Sequence, residues 1–356
     1  MKSKLIIITL IFTILQQFEC IAQKELTNEY KEITIKKVSQ LIKEHYVLKS
    51  RRGLISEKIN NILSNGSYNE IKDFKSFGQQ LTNDLHEISG DYHFAVVYDP
   101  TKVAAMKNED DEESDEKKGA EYQKKILEQR KRNNFGIRRV EILDGNIGYL
   151  DLRFFRGDSL ALETAHEAMA FLSNSDAIIL DLRKNLGGGA AMLQLLSSYF
   201  FGQDSVLLGE IYNGLSDQTQ QLWTNPEIPR CKISDLDLYI LTSKETFSAA
   251  EEFAYDLKQL KRATIVGEST GGGAHMVTRM IVNDEFYIYM PFAGAINPIT
   301  KTNWEGIGVQ PDFKVPTVKA LNKAHILAIE KLIEKTSDEE YKLQLQSILE
   351  KMIKEY

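Results

Sequence analysis

An α/β fold of strand–helix repeats is what this 356-residue sequence predicts, on three observations. Short apolar runs rich in β-formers, AIILD at 177–181, LYILT at 238–242 and ATIVG at 263–267, have the length and composition of buried strands. The first two lead into segments with apolar residues at helical spacing, AAMLQLLSSYFFG and SAAEEFAYDLKQL. Glycine-rich or serine-bearing turns stand at the handovers. Strand followed by helix, repeated, implies crossover units and a layered sheet. Sites in such sheets gather at the carboxyl ends of the strands.

The length suits one large domain or two ordinary ones. Hydrophobic residues make up 42% and charged residues 27%, as in globular proteins. Net charge is −7, and the one basic stretch, KKILEQRKR, follows an acidic run, so nucleic acid is not the expected partner. No His/Cys/Asp cluster has ligand spacing along the chain, so neither a metal site nor a cofactor is expected.

Lys2 and Lys4 precede the apolar run LIIITLIFTIL, and small residues reach Ala22. That order reads as a leader (1–22) cut after Ala22, with acylation of Cys20 as the alternative. The run is too short to span a bilayer. The expectation is an exported protein, periplasmic or secreted, with no spanning segment after cleavage. Cys231 would then be the remaining cysteine; it lacks activating neighbours and reads as structural.

Residues 23–90 show three amphipathic helical stretches, broken at Arg51-Arg52-Gly53 and at Asn65-Gly66. They predict a small helical subdomain. Residues 91–134 carry a turn, Ser89-Gly90-Asp91-Tyr92-His93 at its head, then a strand FAVVYD and a charged linker whose second half reads as an exposed helix. His93, at the mouth of that strand, is either a structural histidine or a site residue.

The core is expected over 135–316. GIRRVEIL and NIGYLDLRFF form a hairpin around Asp144-Gly145. SLALETAHEAMAFLSNS is an amphipathic helix. Asn185-Leu186-Gly187-Gly188-Gly189 lacks the Lys-Ser or Lys-Thr of a phosphate loop. It reads as a tight strand-to-helix turn, structural or presenting amides as an oxyanion hole. Ser248 stands where a strand hands over to a helix, as an N-cap or as a nucleophile beside helix-terminal N–H groups. Two amphipathic helices fill 317–356, for packing or self-association, and the oligomeric state stays open.

Four ordered motifs between about 146 and 316 carry a resemblance. Asp181-Leu182-Arg183-Lys184-Asn185-Leu186-Gly187-Gly188-Gly189 resembles D-x-R-x-N-x-GG, and Thr246-Phe247-Ser248-Ala249-Ala250-Glu251 a nucleophile segment. Val266-Gly267-Glu268-Ser269-Thr270-Gly271-Gly272 resembles a G-E-x-T-x-G turn, and Gly308-Val309-Gln310-Pro311-Asp312 closes a G-x-x-P-D stretch opened by Glu305. Together they resemble the C-terminal processing, or tail-specific, serine proteases, the branch near the tricorn core and the interphotoreceptor retinoid-binding proteins. The resemblance implies a layered crotonase/ClpP-like core with an N-terminal helical subdomain and C-terminal helices. No PDZ-like segment is apparent between residues 90 and 135.

One branch of that family uses a lysine about 25 residues after the serine, but no lysine lies in the loop Ser269-Thr270-Gly271-Gly272-Gly273-Ala274-His275. The tricorn-like alternative implies Ser248 as nucleophile, His93 as base and Glu305 as the acid that orients it. Backbone N–H groups of Gly188 and Ala249 would bind the oxyanion. His275 is the rival base. Asp181 and Arg183 read as a structural pair at a strand end, and Glu251 as a helix cap or a support for the site.

The expectation is an exported serine peptidase cutting peptides or unfolded proteins. A binding protein for a hydrophobic or peptide ligand, on the same fold, is the second reading, and an acyl-transferring or acyl-CoA-handling enzyme the third.

Overall fold

The structure is a computed structural model that describes residues 25–108, 116–228 and 233–355. The leader, Cys20, the cut after Ala22, Cys231 and the acidic centre of the linker lie outside those residues.

Three helices open the fold: α1 (Asn28–His45), α2 (Lys49–Ser64) and α3 (Phe74–Ser89). Thr27 caps α1 by accepting from Tyr30 N–H, and Asp73 caps α3 through Ser76 N–H. Gly90 ends α3 in the left-handed region at φ 69°, where a Cβ is costly. The expected break at Arg51-Arg52-Gly53 is absent: all three residues lie inside α2, and the chain turns instead at Tyr46-Val47-Leu48. Tertiary contacts override the glycine's weak helix propensity. Arg51 donates to Ser89 O and Arg52 to Tyr46 O, so both arginines belong to the packed face.

Then come β1 (Ala95–Tyr98), α4 (Pro100–Asn108) and α5 (Glu116–Arg132), the helix expected in the charged segment. The core follows as β2 (Ile137–Leu143), β3 (Ile147–Leu152), α6 (Ser159–Phe171), β4 (Ala177–Asp181), α7 (Ala190–Tyr199), β5 (Leu207–Asn213) and β6 (Gln218–Trp223). After these lie β7 (Asp237–Thr242), α8 (Ala249–Gln259), β8 (Ala263–Gly267), β9 (His275–Ile281), β10 (Phe286–Ile296), β11 (Phe313–Lys314), α9 (Ala320–Lys335) and α10 (Glu339–Glu355).

Six strands form one sheet in the order β11-β8-β7-β4-β3-β2. All neighbours in it are parallel except β2, which pairs antiparallel with β3 across the Asp144-Gly145 turn. Gly145 and Asn146 both adopt positive φ there, matching the right-handed strand twist. Because strand side chains alternate, β4 and β7 feed two cores. Ile178, Leu180, Leu238 and Ile240 pack beneath α6, α7 and α8. Ile179, Tyr239 and Leu241 face Ala324, Ala328 and Ile329 of α9. Strands buried on both faces read as unbroken apolar runs, which is why they were visible in sequence.

A second, antiparallel sheet runs β1-β10-β5-β6, with β9 also on β10. It is the floor for the N-terminal helices: Phe77, Leu81 and Leu85 of α3 join Val96, Phe286 and Ile288 in one buried cluster. The long β10 pairs with β1 through 286–289 and with β5 through 293–296. It thus stitches the helical subdomain to the core.

Helix α8 carries an uncommon pair on its inner face. Asp256 is buried, Glu252 has its Oε1 sealed from solvent, and both carboxylates crowd the same Gly209 of β5. Asn297 donates to Asp256 Oδ1, yet Asp256 Oδ2 and Glu252 Oε1 find no partner among the described residues. Burial pushes Glu252 up to about 7, and burial with Glu252's charge raises Asp256 well above the carboxylate range. Raised acids favour the fold while protonated, so stability is lost as pH rises through 7. Glu252→Gln is therefore expected to raise the melting temperature at pH 8 by roughly a few degrees, with little change at pH 5. Equal shifts at both pH values in a calorimetric scan would show that the pair carries no ionisation cost.

Candidate active site

The strand-to-helix turn after β7 is built by its own hydroxyls. Thr246 Oγ1 accepts from Ser243 N–H and donates to Leu182 O, and Phe247 N–H donates to Asn185 O. These bonds tie the turn to the end of β4 and deliver Ser248 at φ 55°, ψ −126°, a conformation that costs a non-glycine residue about 1–3 kcal/mol. Glu251 holds it there. Its buried carboxylate accepts from Ser248 N–H (2.9 Å), Thr270 Oγ1 (2.5 Å), Gly272 N–H (2.7 Å) and Gly273 N–H (2.8 Å). Burial raises its pKa, and those four donors oppose the rise. The side chain that the sequence offered as a cap or a support serves as both.

Opposite lies the glycine turn. Asn185 donates to Leu152 O and accepts Gly187 N–H, which fixes the turn's entry. Phe155 N–H donates to Gly187 O and Gly189 N–H to Phe155 O, so Gly188 lies flat on Phe155. A Cβ at Gly188 would fall 2.0 Å from Phe155 O, and one at Gly187 2.8 Å from Ser248 Cβ. Neither position tolerates a side chain. Among the described residues, neither Gly188 N–H nor Ala249 N–H is taken by a backbone turn or cap bond. Both residues line a cavity of about 70 Å³ with Ser248, His275 and Trp304. Gly273 O accepts the Trp304 indole N–H, which braces the loop on the far wall.

The third component gathers from distant segments. His93 Nδ1 is 3.1 Å from Asp91 Oδ1, and His275 Nδ1 is 2.6 Å from Asp91 Oδ2. The two imidazoles pull Asp91 below the carboxylate range despite burial, which works the other way. An ionised carboxylate can only accept, so both rings present Nδ1–H to it and keep Nε2 as the acceptor. Tyr46 Oη also donates to Asp91 Oδ2 (3.2 Å). His93 Nε2 is buried with no partner among the described residues, and the ring packs on Phe247, the residue before Ser248, at 5.2 Å between centroids. Burial lowers the pKa of His93, but the hydrogen bond and charge of Asp91 and the charge of Glu305 outweigh it and leave it raised.

Glu305 Oε2 lies 3.8 Å from His93 Nδ1 and 3.6 Å from His275 Nδ1, and it accepts Ala274 N–H at 2.6 Å. Burial and the neighbouring Asp91 charge raise its pKa. The fold thus brings His93, His275 and Glu305 into one cluster, with Ser248 and His275 on one cavity wall. The acid hydrogen-bonded to His93, Asp91, was not singled out in the sequence. The one available signal was its place two residues before His93, where its side chain also accepts His93 N–H. Asp181 and Arg183 form a two-bond pair at the end of β4, with Tyr149 Oη on Asp181 and Thr317 O on Arg183. Arg183 thereby anchors the segment leading into α9.

Comparison with known proteins shows what the chain is similar to. Residues 146–315 match the profile of Peptidase family S41, and residues 25–135 match the N-terminal domain of peptidase S41 in eukaryotic IRBP. A "Probable CtpA-like serine protease" of Staphylococcus epidermidis is 24% identical over 198 residues, covering 53% of this chain and 38% of that protein. The Staphylococcus aureus counterpart gives 24% over 198 residues. The chain thus spans less than two fifths of the curated relatives it matches. Among solved structures, a peptidase candidate from Parabacteroides merdae superposes with TM-score 0.56 at 16% identity, over 80% of this chain and 90% of that one. The photosystem II D1 C-terminal processing protease gives 0.52 at 15%, over 81% and 93%. These likenesses show a shared fold, with the helical N-terminal part included. The motifs in the sequence and the two adjoining profiles agree: the chain belongs to peptidase family S41.

Proposed function

We propose that the chain is a serine peptidase that cuts peptides or unfolded proteins. The observation that carries this reading is the strained Ser248 turn facing Gly188, with the Gly188 and Ala249 N–H groups in no backbone bond among the described residues and His93, its Nδ1 held by buried Asp91, packed on Phe247. In this reading His93 Nε2 takes the Ser248 proton as the hydroxyl attacks a carbonyl, then returns it to the leaving amine. Asp91 fixes the ring tautomer through its hydrogen bond. Glu305, an acid 3.8 Å from the same nitrogen, supports the imidazolium by charge. Gly188 and Ala249 N–H groups receive the oxyanion. Water hydrolyses the acyl-enzyme, so the cycle closes without a cofactor. The cavity beside Ser248, at about 70 Å³ and walled by Ala190, Ala249 and Ala295, suits a short substrate side chain. The charged and then apolar order of residues 1–22 supports export to the periplasm or the medium.

Fluorophosphonate labelling of the purified protein tests the assignment. Wild type is expected to label, Ser248→Ala not at all, and His93→Ala at a rate lower by at least about a thousand-fold. His275→Ala is expected to stay within about ten-fold of wild type, because its ring is not the proton acceptor in this reading. Loss with His275→Ala and not with His93→Ala would move the base to β9. No labelling of folded wild type would leave a ligand-binding protein on a peptidase fold.

The pH profile follows from the sign of the His93 shift. A base must be neutral to act, so the labelling rate should rise with pH through a midpoint above 6.5. Removing the Asp91 charge takes away the largest raising influence. Asp91→Asn should move that midpoint to lower pH while cutting the plateau rate. An unmoved midpoint would mean that another group sets the limb.

A further inference from the structure

Asp91, His93, His275 and Glu305 each offer one atom, and these four atoms lie within 4.8 Å of one another. We propose that this cluster is a binding site for a divalent zinc ion, and that zinc held there switches the peptidase off. The inference rests on the catalytic reading for its consequence but not for the site itself.

The donor set and its spacing carry the argument. Four contacts between histidine Nδ1 atoms and carboxylate oxygens measure 2.6, 3.1, 3.6 and 3.8 Å. A tetrahedral zinc with bonds of about 2.0–2.1 Å needs ligand atoms roughly 3.3 Å apart, so no pair of the four atoms, all within 4.8 Å of one another, has to close by more than about 1.5 Å. Two imidazoles with two carboxylates favour zinc or its transition-metal neighbours over calcium or magnesium, which take all-oxygen shells. Two carboxylate charges match the ion's own. Glu305 keeps an Oε1 that is sealed from solvent and unpartnered among the described residues. Outer partners hold both carboxylates: Ala274 N–H donates to Glu305, and Tyr46 Oη donates to Asp91.

The consequence lies in one proton. With Asp91 as acceptor, His93 carries its proton on Nδ1 and leaves Nε2 free. Zinc takes the Nδ1 lone pair, so the ring's single proton moves to Nε2. No bond is oxidised or reduced, and the ring stays neutral. Yet an Nε2 that already carries hydrogen cannot accept the Ser248 proton. The ion inhibits by inverting a tautomer, without touching the serine.

Titration calorimetry with zinc chloride on Ser248→Ala protein tests the site without any need for catalysis. One ion per chain is expected, bound at least about a hundred-fold more tightly than calcium or magnesium. His275→Ala and Asp91→Asn, each checked for folding by circular dichroism, should weaken binding by ten- to hundred-fold or more. Cobalt in place of zinc should give the intense visible absorption of a tetrahedral site. On wild type, zinc should slow fluorophosphonate labelling, and a chelator should restore it. Absence of stoichiometric binding, or binding unchanged in both folded variants, would overturn the site even if labelling confirms the peptidase. Tight binding that leaves the labelling rate unchanged would overturn the inhibition.

Discussion

One buried carboxylate sets the geometry on which the site depends. Glu251 sits in the first turn of α8 and accepts four hydrogen bonds, one from Ser248 and three from the loop of Thr270, Gly272 and Gly273. Each donor alone is an ordinary contact. Together they lock a positive-φ serine to the loop that leads into β9 and His275. A carboxylate so deeply placed is tolerable only because every bond is made, since an unpaired buried charge is far more costly than the pairs return. The first turn of one helix therefore positions Ser248 and one wall of the candidate site at once.

What the sequence made legible follows from how each part is buried. Strands β4, β7 and β8 are covered on both faces, so their composition announces them, and the turns after β4 and β8 carry motifs dense in glycine. The second sheet is harder. β6 and β9 are largely exposed, β5 is half-buried and β10 is mostly buried, and Tyr, Gln, Met and Thr interrupt their pattern. No single-chain period marks them. Gly53 shows the opposite failure: a local breaker signal was overruled by arginines that bond to α3 and to the end of α1.

The site was legible by residue and not by relation. Ser248, His93, Glu305 and His275 each stand in or beside a recognisable turn, and the fold brings the three ionisable ones into one cluster. Their wiring is three-dimensional. Asp91 links His93 and His275 through its two oxygens, and no spacing along the chain encodes a contact between residues 91 and 275. Spacing along the chain does not register the cluster of Asp91, His93, His275 and Glu305 either, because the fold gathers those residues from three segments.

The span of β10 has a consequence for when the candidate site comes together. Asp91 and His93 lie just before β1, the strand that β10 joins to the sheet carrying β9 and β5. Ser248 belongs to the other sheet, and Glu305 follows β10. A nascent chain thus holds His93 before Ser248 and Ser248 before Glu305, and the segments bearing His93 and His275 are brought into one sheet only when β10 pairs with both β1 and β9. Closing that sheet and gathering the candidate cluster are therefore the same step.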